Sequence, residues 1–320
     1  MLTSYHNHSQ WSDGRGSLLN MLYAAQRMGL DELGISDHLV LDPHDDIPRW
    51  SMHPTALPDY LAALSEGRRD DAPCLRIGLE LDWLPGQRDA IAAATDDPRL
   101  DYAIGSVHQV LGLHVDSALD HLGQLGPQAL QAMYDRYWVL VAEMASSGLF
   151  DIAAHLDLPK KLHGRPSAAM QRDDRADGYA AAHRRMGTTR QAAMQPDDRA
   201  DGYAAAHRRQ QAPSVGDSAG VEPALDAIAA AGMTVELNTA GWDMPCRECY
   251  PSPRILAACH ERGIPVTIGA DAHSTQDLLR HFDRAVKLLQ QIGYREIMRF
   301  EGRRAIPQPL ADFAAALDRP

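Results

Sequence analysis

The sequence predicts an α/β fold, most simply an irregular seven-stranded barrel in which parallel strands alternate with helices. Two observations predict it. Short β-rich runs recur along the chain, and a loop and usually a helical pattern follow each of them. The seven runs lie at about residues 2–6, 32–37, 75–81, 102–107, 150–155, 233–238 and 265–270. A doubly wound open sheet is the alternative architecture that this alternation allows.

Helical periodicity places the clearest helices between or after these runs. Apolar residues recur at three- and four-residue spacing over Pro127 to Ser147, and a similar helix is predicted over Leu278 to Ile292. Another helix is predicted from Ser17 to Met28, where Gly29 follows as a stop signal. In a barrel of this kind the carboxyl ends of all the strands share one face.

Composition limits the class of protein. The 320 residues are 45% apolar and 23% charged, which is typical of a globular protein with a full core, and we expect a single domain over residues 1–320. The net charge of −12 disfavours nucleic-acid binding through phosphate contacts. The sequence has neither an apolar run near the roughly 20 residues of a membrane span nor a signal-peptide pattern. We therefore expect a cytoplasmic enzyme with neither membrane nor nucleic-acid partners.

One segment departs from the pattern of strands and helices. Residues 168–185 reappear as residues 192–209 with a single difference, Arg172 against Pro196. A copy this close indicates a recent tandem duplication with an offset of 24 residues. Each copy has few apolar residues to bury, so we predict that residues 165–218 form an exposed, mobile insertion.

The four cysteines are too few and too scattered for a disulfide scaffold and are expected to be reduced. Cys246 and Cys249 form an isolated C-x-x-C in a loop flanked by prolines. Zinc binding or redox chemistry is compatible with this spacing. Ordinary loop cysteines are favoured, because no second pair accompanies them.

Histidines and carboxylates follow the predicted strands. His6 and His8 end the first run, and alternate residues of a strand share one face. Asp271 and His273 repeat the same spacing after the last run. Imidazoles and carboxylates are ligands of divalent transition metals. The sequence therefore predicts that the two ends of the chain contribute to one metal site.

Further candidate ligands occupy equivalent positions. Glu80 lies in an apolar run. Burying a carboxylate there without a partner would cost several kcal/mol, and a bound cation would offset that cost. His38, His108 and His155 end other runs, and Asp13 follows closely behind the first. A lone histidine would more often be a hydrogen-bonded core residue, but their recurrence at strand ends predicts a multinuclear metal centre.

Several stretches carry these residues: His6-x-His8, Asp13-Gly14, Ser36-Asp37-His38, Glu80, Gly105-Ser-Val-His108, His155-Leu-Asp-Leu-Pro-Lys160 and Asp271-Ala-His273. Together they resemble the polymerase and histidinol phosphatase (PHP) family over almost the whole chain outside the repeat. Within that family the sequence is most similar to the stand-alone histidinol-phosphatases. This narrower resemblance rests on Ala154-His-Leu-Asp-Leu-Pro-Lys-Lys161, Glu236-Leu-Asn-Thr-Ala-Gly241 and Tyr250-Pro-Ser-Pro253.

The resemblance implies a distorted seven-stranded (β/α)7, TIM-like barrel with three divalent ions, Zn, Mn or Fe, at the strand carboxyl ends. It implies one ion held by His6, His8, Glu80 and Asp271, a second by Glu80, His108 and His155, and a third by Asp13, His38 and His273. The residues expected to act in catalysis are His6, His8, Glu80, His108, Asp271 and His273. Three cations follow His155 closely enough in sequence to reach a substrate phosphate: Lys160, Lys161 and Arg165. Ordinary surface cations are an equally good interpretation of them.

The activity implied by the resemblance is metal-dependent hydrolysis of a small phosphate monoester, L-histidinol phosphate, to L-histidinol and phosphate in histidine biosynthesis. One alternative is a phosphatase or nuclease of the same family that acts on nucleotides or nucleic-acid ends. The acidic net charge counts against long nucleic acids. An alternative of another class is a non-catalytic binding module stabilised by metal, against which the complete set of ligands argues.

Overall fold

The computed structural model describes residues 1–69, 73–116, 125–161 and 215–319. Most of the predicted insertion, up to residue 214, therefore lies outside the described residues. Residues 215–217 form a short 3₁₀ turn, and Ser218 donates a hydrogen bond of 2.5 Å from its hydroxyl to Asp135. In the described parts of the chain, no helix has the length and apolar character needed to cross a membrane.

The core of the fold is a nearly closed barrel of seven parallel strands, as predicted. Each strand pairs with the next one along the chain, and a short strand at His38–Leu39 adds a second partner beside Glu80. The barrel strands are β1 (Thr3–Ser4), β2 (Glu32–Ile35), β3 (Cys74–Asp82), β4 (Tyr102–Ser106), β5 (Ile152–Ala153), β6 (Thr234–Asn238) and β7 (Val266–Gly269).

The first and last strands meet just beyond their carboxyl ends. The His8 N–H donates to the Ala272 carbonyl at 2.8 Å, and the Ala272 N–H donates to the His6 carbonyl at 3.2 Å. An isolated parallel bridge between Asn7 and Ala272 accompanies these bonds. The barrel is thus closed at the face where parallel strands end, which is where active sites lie in barrels of this type.

Helices cover the outside of the barrel and bury their apolar faces against it. The helix predicted from Leu278 begins only at Phe282, because His281 has a left-handed backbone with φ of +56° that a helix interior does not accept. The helices are α1 (Leu18–Arg27), α2 (Leu57–Gly67), α3 (Arg88–Thr95), α4 (Pro127–Ser146), α5 (Val221–Ala231), α6 (Pro253–Glu261), α7 (Phe282–Ile292) and α8 (Leu310–Leu317).

A second, smaller cluster of buried apolar residues fills the barrel interior. Tyr102 lies at its centre and needs the space left by two glycines. A Cβ at Gly34 would lie 2.2 Å from the Tyr102 hydroxyl oxygen, and one at Gly78 would lie 2.3 Å from the ring. Since such contacts are impossible, these two strand positions must be glycine for this ring to fit.

The barrel end opposite the carboxyl ends is closed by an antiparallel hairpin of strands β8 (Glu296–Glu301) and β9 (Arg304–Pro309). Its Phe300 is fully buried in the interior cluster and meets Tyr5 edge to face, with ring centroids 5.5 Å apart. Arg299 of the same hairpin donates to buried Glu32 at 2.9 Å. The hairpin was not among the predicted elements.

Candidate metal centre

The structure brings together all nine predicted ligand candidates at the barrel face where the parallel strands have their carboxyl ends. Their nitrogen and oxygen atoms form four overlapping groups in which the donor atoms lie within 4.8 Å of one another. The groups are His6, His8 and Asp271; His6, Glu80 and His155; His38, Glu80 and His108; and His8, Asp13, His38 and His273. His108 and His155, expected to share one ion, fall in different groups that have Glu80 in common.

Glu80, near the carboxyl end of β3, lies at the centre of the cluster and is completely buried. Its Oε2 is 3.1 Å from Nε2 of His6 and 2.8 Å from Nδ1 of His38. Its Oε1 is 2.9 Å from Nε2 of His155 and 3.7 Å from Nε2 of His108. One carboxylate therefore faces histidines from four other segments of the chain.

Several buried atoms of the cluster lack hydrogen-bond partners among the described residues. They are Nε2 of His6, both ring nitrogens of His8, Nδ1 of His38 and Oε2 of Glu80. Some lie within 3.1 Å of each other without the geometry of a hydrogen bond. Buried polar atoms are normally satisfied, and divalent cations bound among them would take one ring nitrogen from each of these histidines together with the Glu80 oxygen. The donor set thus fits divalent metal ions with mixed nitrogen and oxygen ligation.

The charges of the cluster also favour cations. Burial lowers the pKa of His8 to about 3, assisted by His38 and His273, so that its imidazole is neutral and able to bind a metal. Burial also acts on His6 and His108, but neighbouring carboxylates outweigh it. They raise the pKa of His6 well above its ordinary value, and that of His108 to about 10. The excess of carboxylates can be balanced by protons on these rings or by divalent cations in their place.

The group that contains Asp13 and His273 is the most exposed part of the cluster. Nε2 of His273 lies 3.2 Å from Oδ1 of Asp13, and their side chains are 37% and 31% exposed. Gly14 makes this loop possible, since a Cβ there would lie 2.3 Å from the His8 carbonyl oxygen. A ligand from solvent therefore has access to the cluster on this side.

Asp37 fixes the loop that carries Asp13. Its buried carboxylate accepts hydrogen bonds from the backbone N–H and hydroxyl groups of both Ser9 and Ser12, at 2.6 to 3.1 Å. Asp37 therefore holds the loop in place and is not itself free to bind a ligand.

The comparison with known families matches this geometry. The sequence matches the PHP domain family over residues 4–189, which is more than half of the chain. The chain belongs to the PHP family. A curated relative from Deinococcus radiodurans, named probable histidinol-phosphatase, is 31% identical over 277 residues and covers 86% of each chain.

Two solved structures share the PHP fold of this chain. A histidinol phosphate phosphatase from Lactococcus lactis, complexed with zinc, L-histidinol and phosphate, has a TM-score of 0.64 at 18% identity. The match covers 95% of this chain and 98% of that one. A candidate histidinol phosphatase from Listeria monocytogenes has a TM-score of 0.62 at 18% identity, covering 88% and 99%. At this identity the likeness concerns the fold.

The predicted phosphate contacts of this PHP protein have different surroundings. Lys160 donates to Asp157 at 3.0 Å and to Glu248 and the Cys249 carbonyl at 2.7 Å each. All three N–H bonds of an ammonium group are thereby occupied, so Lys160 has none left for a phosphate. Lys161 makes one ion pair of 3.1 Å with Asp116. Arg165 lies outside the described residues.

The C-x-x-C pair is buried and belongs to none of the four ligand groups. Burial raises the pKa of Cys249 to about 12, which disfavours the thiolate needed for metal binding or redox chemistry. Its thiol lies 3.2 Å from the Pro251 carbonyl, and the Cys246 thiol lies 3.4 Å from the Gly241 carbonyl. These contacts favour the interpretation as ordinary loop cysteines.

Two carboxylates beside the PHP cluster were not among the predicted site residues. Glu236 accepts from Nδ1 of His6 at 2.7 Å, and Asp82 lies 2.6 Å from Nδ1 of His108. Both occur in buried strands, so the argument that singled out Glu80, an acidic residue in an apolar run, applies equally to them.

Asp271 has a left-handed backbone with φ of +50°, and Arg280 donates to its carbonyl at 3.2 Å.

Proposed function

We propose that this PHP protein is a cytoplasmic, metal-dependent phosphomonoesterase that hydrolyses L-histidinol phosphate to L-histidinol and phosphate in histidine biosynthesis. The observation that carries the proposal is the convergence of eight candidate ligands, all with nitrogen or oxygen donors, around a ninth, the buried Glu80. The substrate is supported by the Deinococcus relative, named a probable histidinol-phosphatase, at 31% identity. The zinc, L-histidinol and phosphate of the Lactococcus structure agree with it.

We propose three divalent ions, with Zn²⁺, Mn²⁺ and Fe²⁺ as the candidates. His6, His8, Glu80 and Asp271 would hold one ion, Glu80, His108 and His155 a second, and Asp13, His38 and His273 a third. Such ions, when bound, stabilise negative charge on phosphoryl oxygens and make a water nucleophile available near neutral pH. His6, His8, Glu80, His108, Asp271 and His273 are the residues we propose for catalysis.

The side chains around the cluster determine how a substrate can approach. Asp13 and His273, whose side chains are 31% and 37% exposed, leave the cluster open on one side. On another side Trp50 packs edge to face on His38 and His108, with ring centroids 4.8 and 5.3 Å away, and shields them from water. Of the three predicted phosphate contacts, Lys160 is fully paired and Arg165 lies outside the described residues. We therefore propose Lys161, which is a quarter exposed, for contact with the phosphate group.

The test is phosphate release by the purified protein from L-histidinol phosphate, with a nucleoside monophosphate and an aryl phosphate as comparison substrates. The metal is removed with a chelator, and Zn²⁺ or Mn²⁺ is then added back. We expect turnover that is lost on chelation, restored by metal and selective for L-histidinol phosphate. Preference for the nucleotide would contradict the proposed substrate but not the metal chemistry. If none of the esters is hydrolysed although metal is bound, the proposal that the protein is an enzyme would be wrong.

Asp271→Ala links the activity to the proposed residues. It removes a carboxylate that lies 3.2 Å from His8 and 3.8 Å from His6, and we expect turnover to fall by at least about 10³-fold. Asp226→Ala, on the exposed surface of helix α5, is the control and should retain full activity. Full activity in Asp271→Ala would show that the site has been assigned wrongly.

A further inference from the structure

Glu236 in strand β6 contacts two of the proposed ligands from a third strand. We propose that it is a positioning residue, which fixes the tautomer of His6 and the backbone of His155 so that both can bind metal. The inference rests on the proposed metal ligation and not on the identity of the substrate.

Both oxygens of Glu236 are committed to neighbours. Oε1 lies 2.7 Å from Nδ1 of His6, and Oε2 accepts from the backbone N–H of His155 at 2.9 Å. Oε2 also accepts from the Asn238 amide at 3.2 Å, and that amide donates in turn to Asp271. Glu236 is 1% exposed. Its oxygens accept from three donors, and it belongs to none of the four ligand groups, so it acts on the ligands and is not one of them.

A carboxylate can only accept hydrogen bonds, so Nδ1 of His6 must carry the proton that it donates to Glu236. In the neutral, metal-binding form of His6 the lone pair is then on Nε2, the atom that faces Glu80 at 3.1 Å and Asp271 at 3.8 Å. Partners of this kind orient metal-binding histidines in many proteins. Here a single glutamate serves a side chain after β1 and a backbone amide after β5.

The barrel reserves space for this carboxylate. Gly269, at the end of β7, faces Glu236, and a Cβ at this position would lie 1.7 Å from Oε1. No side chain can occupy that position without displacing the oxygen that contacts His6. The glutamate and the glycine thus form a matched pair on adjacent strands, which register Thr267 with Glu236 and Gly269 with Asn238.

Glu236→Gln tests the tautomer directly, because an amide has one accepting oxygen and one donating nitrogen. If the nitrogen faces His6, Nδ1 must accept and the proton moves to Nε2, where the metal would bind. If the nitrogen faces His155 instead, it meets the N–H groups of both His155 and Asn238. Either orientation disturbs the site while the volume of the side chain is unchanged.

We expect Glu236→Gln to weaken Zn²⁺ binding about 10- to 100-fold, measured by competition with a chromogenic chelator. Glu32→Gln is the matched control. Glu32 is also 1% exposed and accepts from Arg76 at 2.6 Å and Arg299 at 2.9 Å, but it lies at the opposite end of the barrel. Glu32→Gln should lower the melting temperature and leave Zn²⁺ affinity within twofold of the wild type.

An unchanged Zn²⁺ affinity in folded Glu236→Gln, or an equal loss in Glu32→Gln, would overturn the proposal. A second measurement covers the case in which Glu236→Gln does not fold. ¹⁵N-histidine NMR of the Zn²⁺-loaded wild type should show His6 with a proton on Nδ1 and metal on Nε2, the signal being assigned with His6→Gln. Metal on Nδ1 would overturn it. Neither measurement uses a phosphate ester, so failure of the proposed substrate would leave both results intact.

Discussion

Replacement of Glu80 by glutamine is expected to separate metal binding from folding. Glu80 is completely buried, and its two oxygens face His6, His38 and His155 at 2.8 to 3.1 Å. It belongs to two of the four ligand groups. Glutamine keeps the shape but removes the negative charge that cations in both groups would share.

The magnitude follows from the burial. Removing one partner of a buried charge pair costs about 3–5 kcal/mol, so the lower end of this range predicts a loss in metal affinity of at least about 100-fold. If the protein binds the metal 100-fold more weakly, the metal contributes about 2.7 kcal/mol less to the free energy of unfolding at a fixed excess of metal. For a chain of 320 residues, with an unfolding entropy of about 2.1 cal/mol/K per residue, that corresponds to a fall of about 4 °C in the melting temperature of the metal-loaded protein.

The assay combines a chelator competition titration, thermal unfolding with and without Zn²⁺, and phosphate release. Glu80→Gln should bind metal weakly, gain little stability from Zn²⁺ and lose turnover. Glu32→Gln, an equally buried glutamate on the neighbouring strand β2, should gain as much stability from Zn²⁺ as the wild type. Wild-type affinity together with wild-type turnover in Glu80→Gln would refute the bridging role of this carboxylate.

Further predictions concern the surroundings of the site and the barrel interior. Lys160→Met should lower the free energy of unfolding by about 3 kcal/mol in denaturant titrations, because it leaves the buried Asp157 carboxylate without its cation; an unchanged midpoint would contradict this. Phe300→Ala should cost about 3–5 kcal/mol in the same assay while sparing Zn²⁺ affinity, and a parallel loss of affinity would show that the hairpin influences the site. The raised pKa values of His108 and His273, about 10 and about 9, imply that these rings are protonated at pH 7 and must lose protons to bind metal. Zn²⁺ affinity should therefore rise as the pH is raised towards the pKa values of these rings, about 9 for His273 and about 10 for His108, and calorimetry in buffers of different ionisation enthalpy should detect the released protons; a pH-independent affinity would argue against these two ligands.

Much of the barrel could be predicted from the sequence because its strands are short apolar runs separated by helices. The run predicted at 233–238 is strand Thr234–Asn238, and the helix predicted from Pro127 ends one residue before Ser147. The start of α7 was predicted too early, since the left-handed backbone of His281 depends on tertiary contacts. The hairpin of β8 and β9 was missed because its strands carry charges and two prolines, Pro307 and Pro309, which are unusual in sheets.

The candidate site was easier to predict for ligands than for the residues that support them. Ligands such as His8 and His273 stand out because their residue type, repeated after the ends of strands, is typical of metal sites. Glu236 is an acidic residue in an apolar run, as Glu80 is, but only the fold shows that His6 lies beside it. Lys160 was misleading for the opposite reason, because its position in sequence suggested a free cation while Asp157 and Glu248 occupy it in the structure.

The closure between Asn7 and Ala272 has a consequence for the order in which the molecule assembles. The proposed ligands straddle this seam, with His6 and His8 on one side and Asp271 and His273 on the other. During synthesis the first histidines leave the ribosome long before the residues that complete their ligand groups exist. We therefore expect nascent chains that stop before residue 271 to lack the two proposed zinc sites that need Asp271 or His273, and completion of the metal centre to be among the last events of folding.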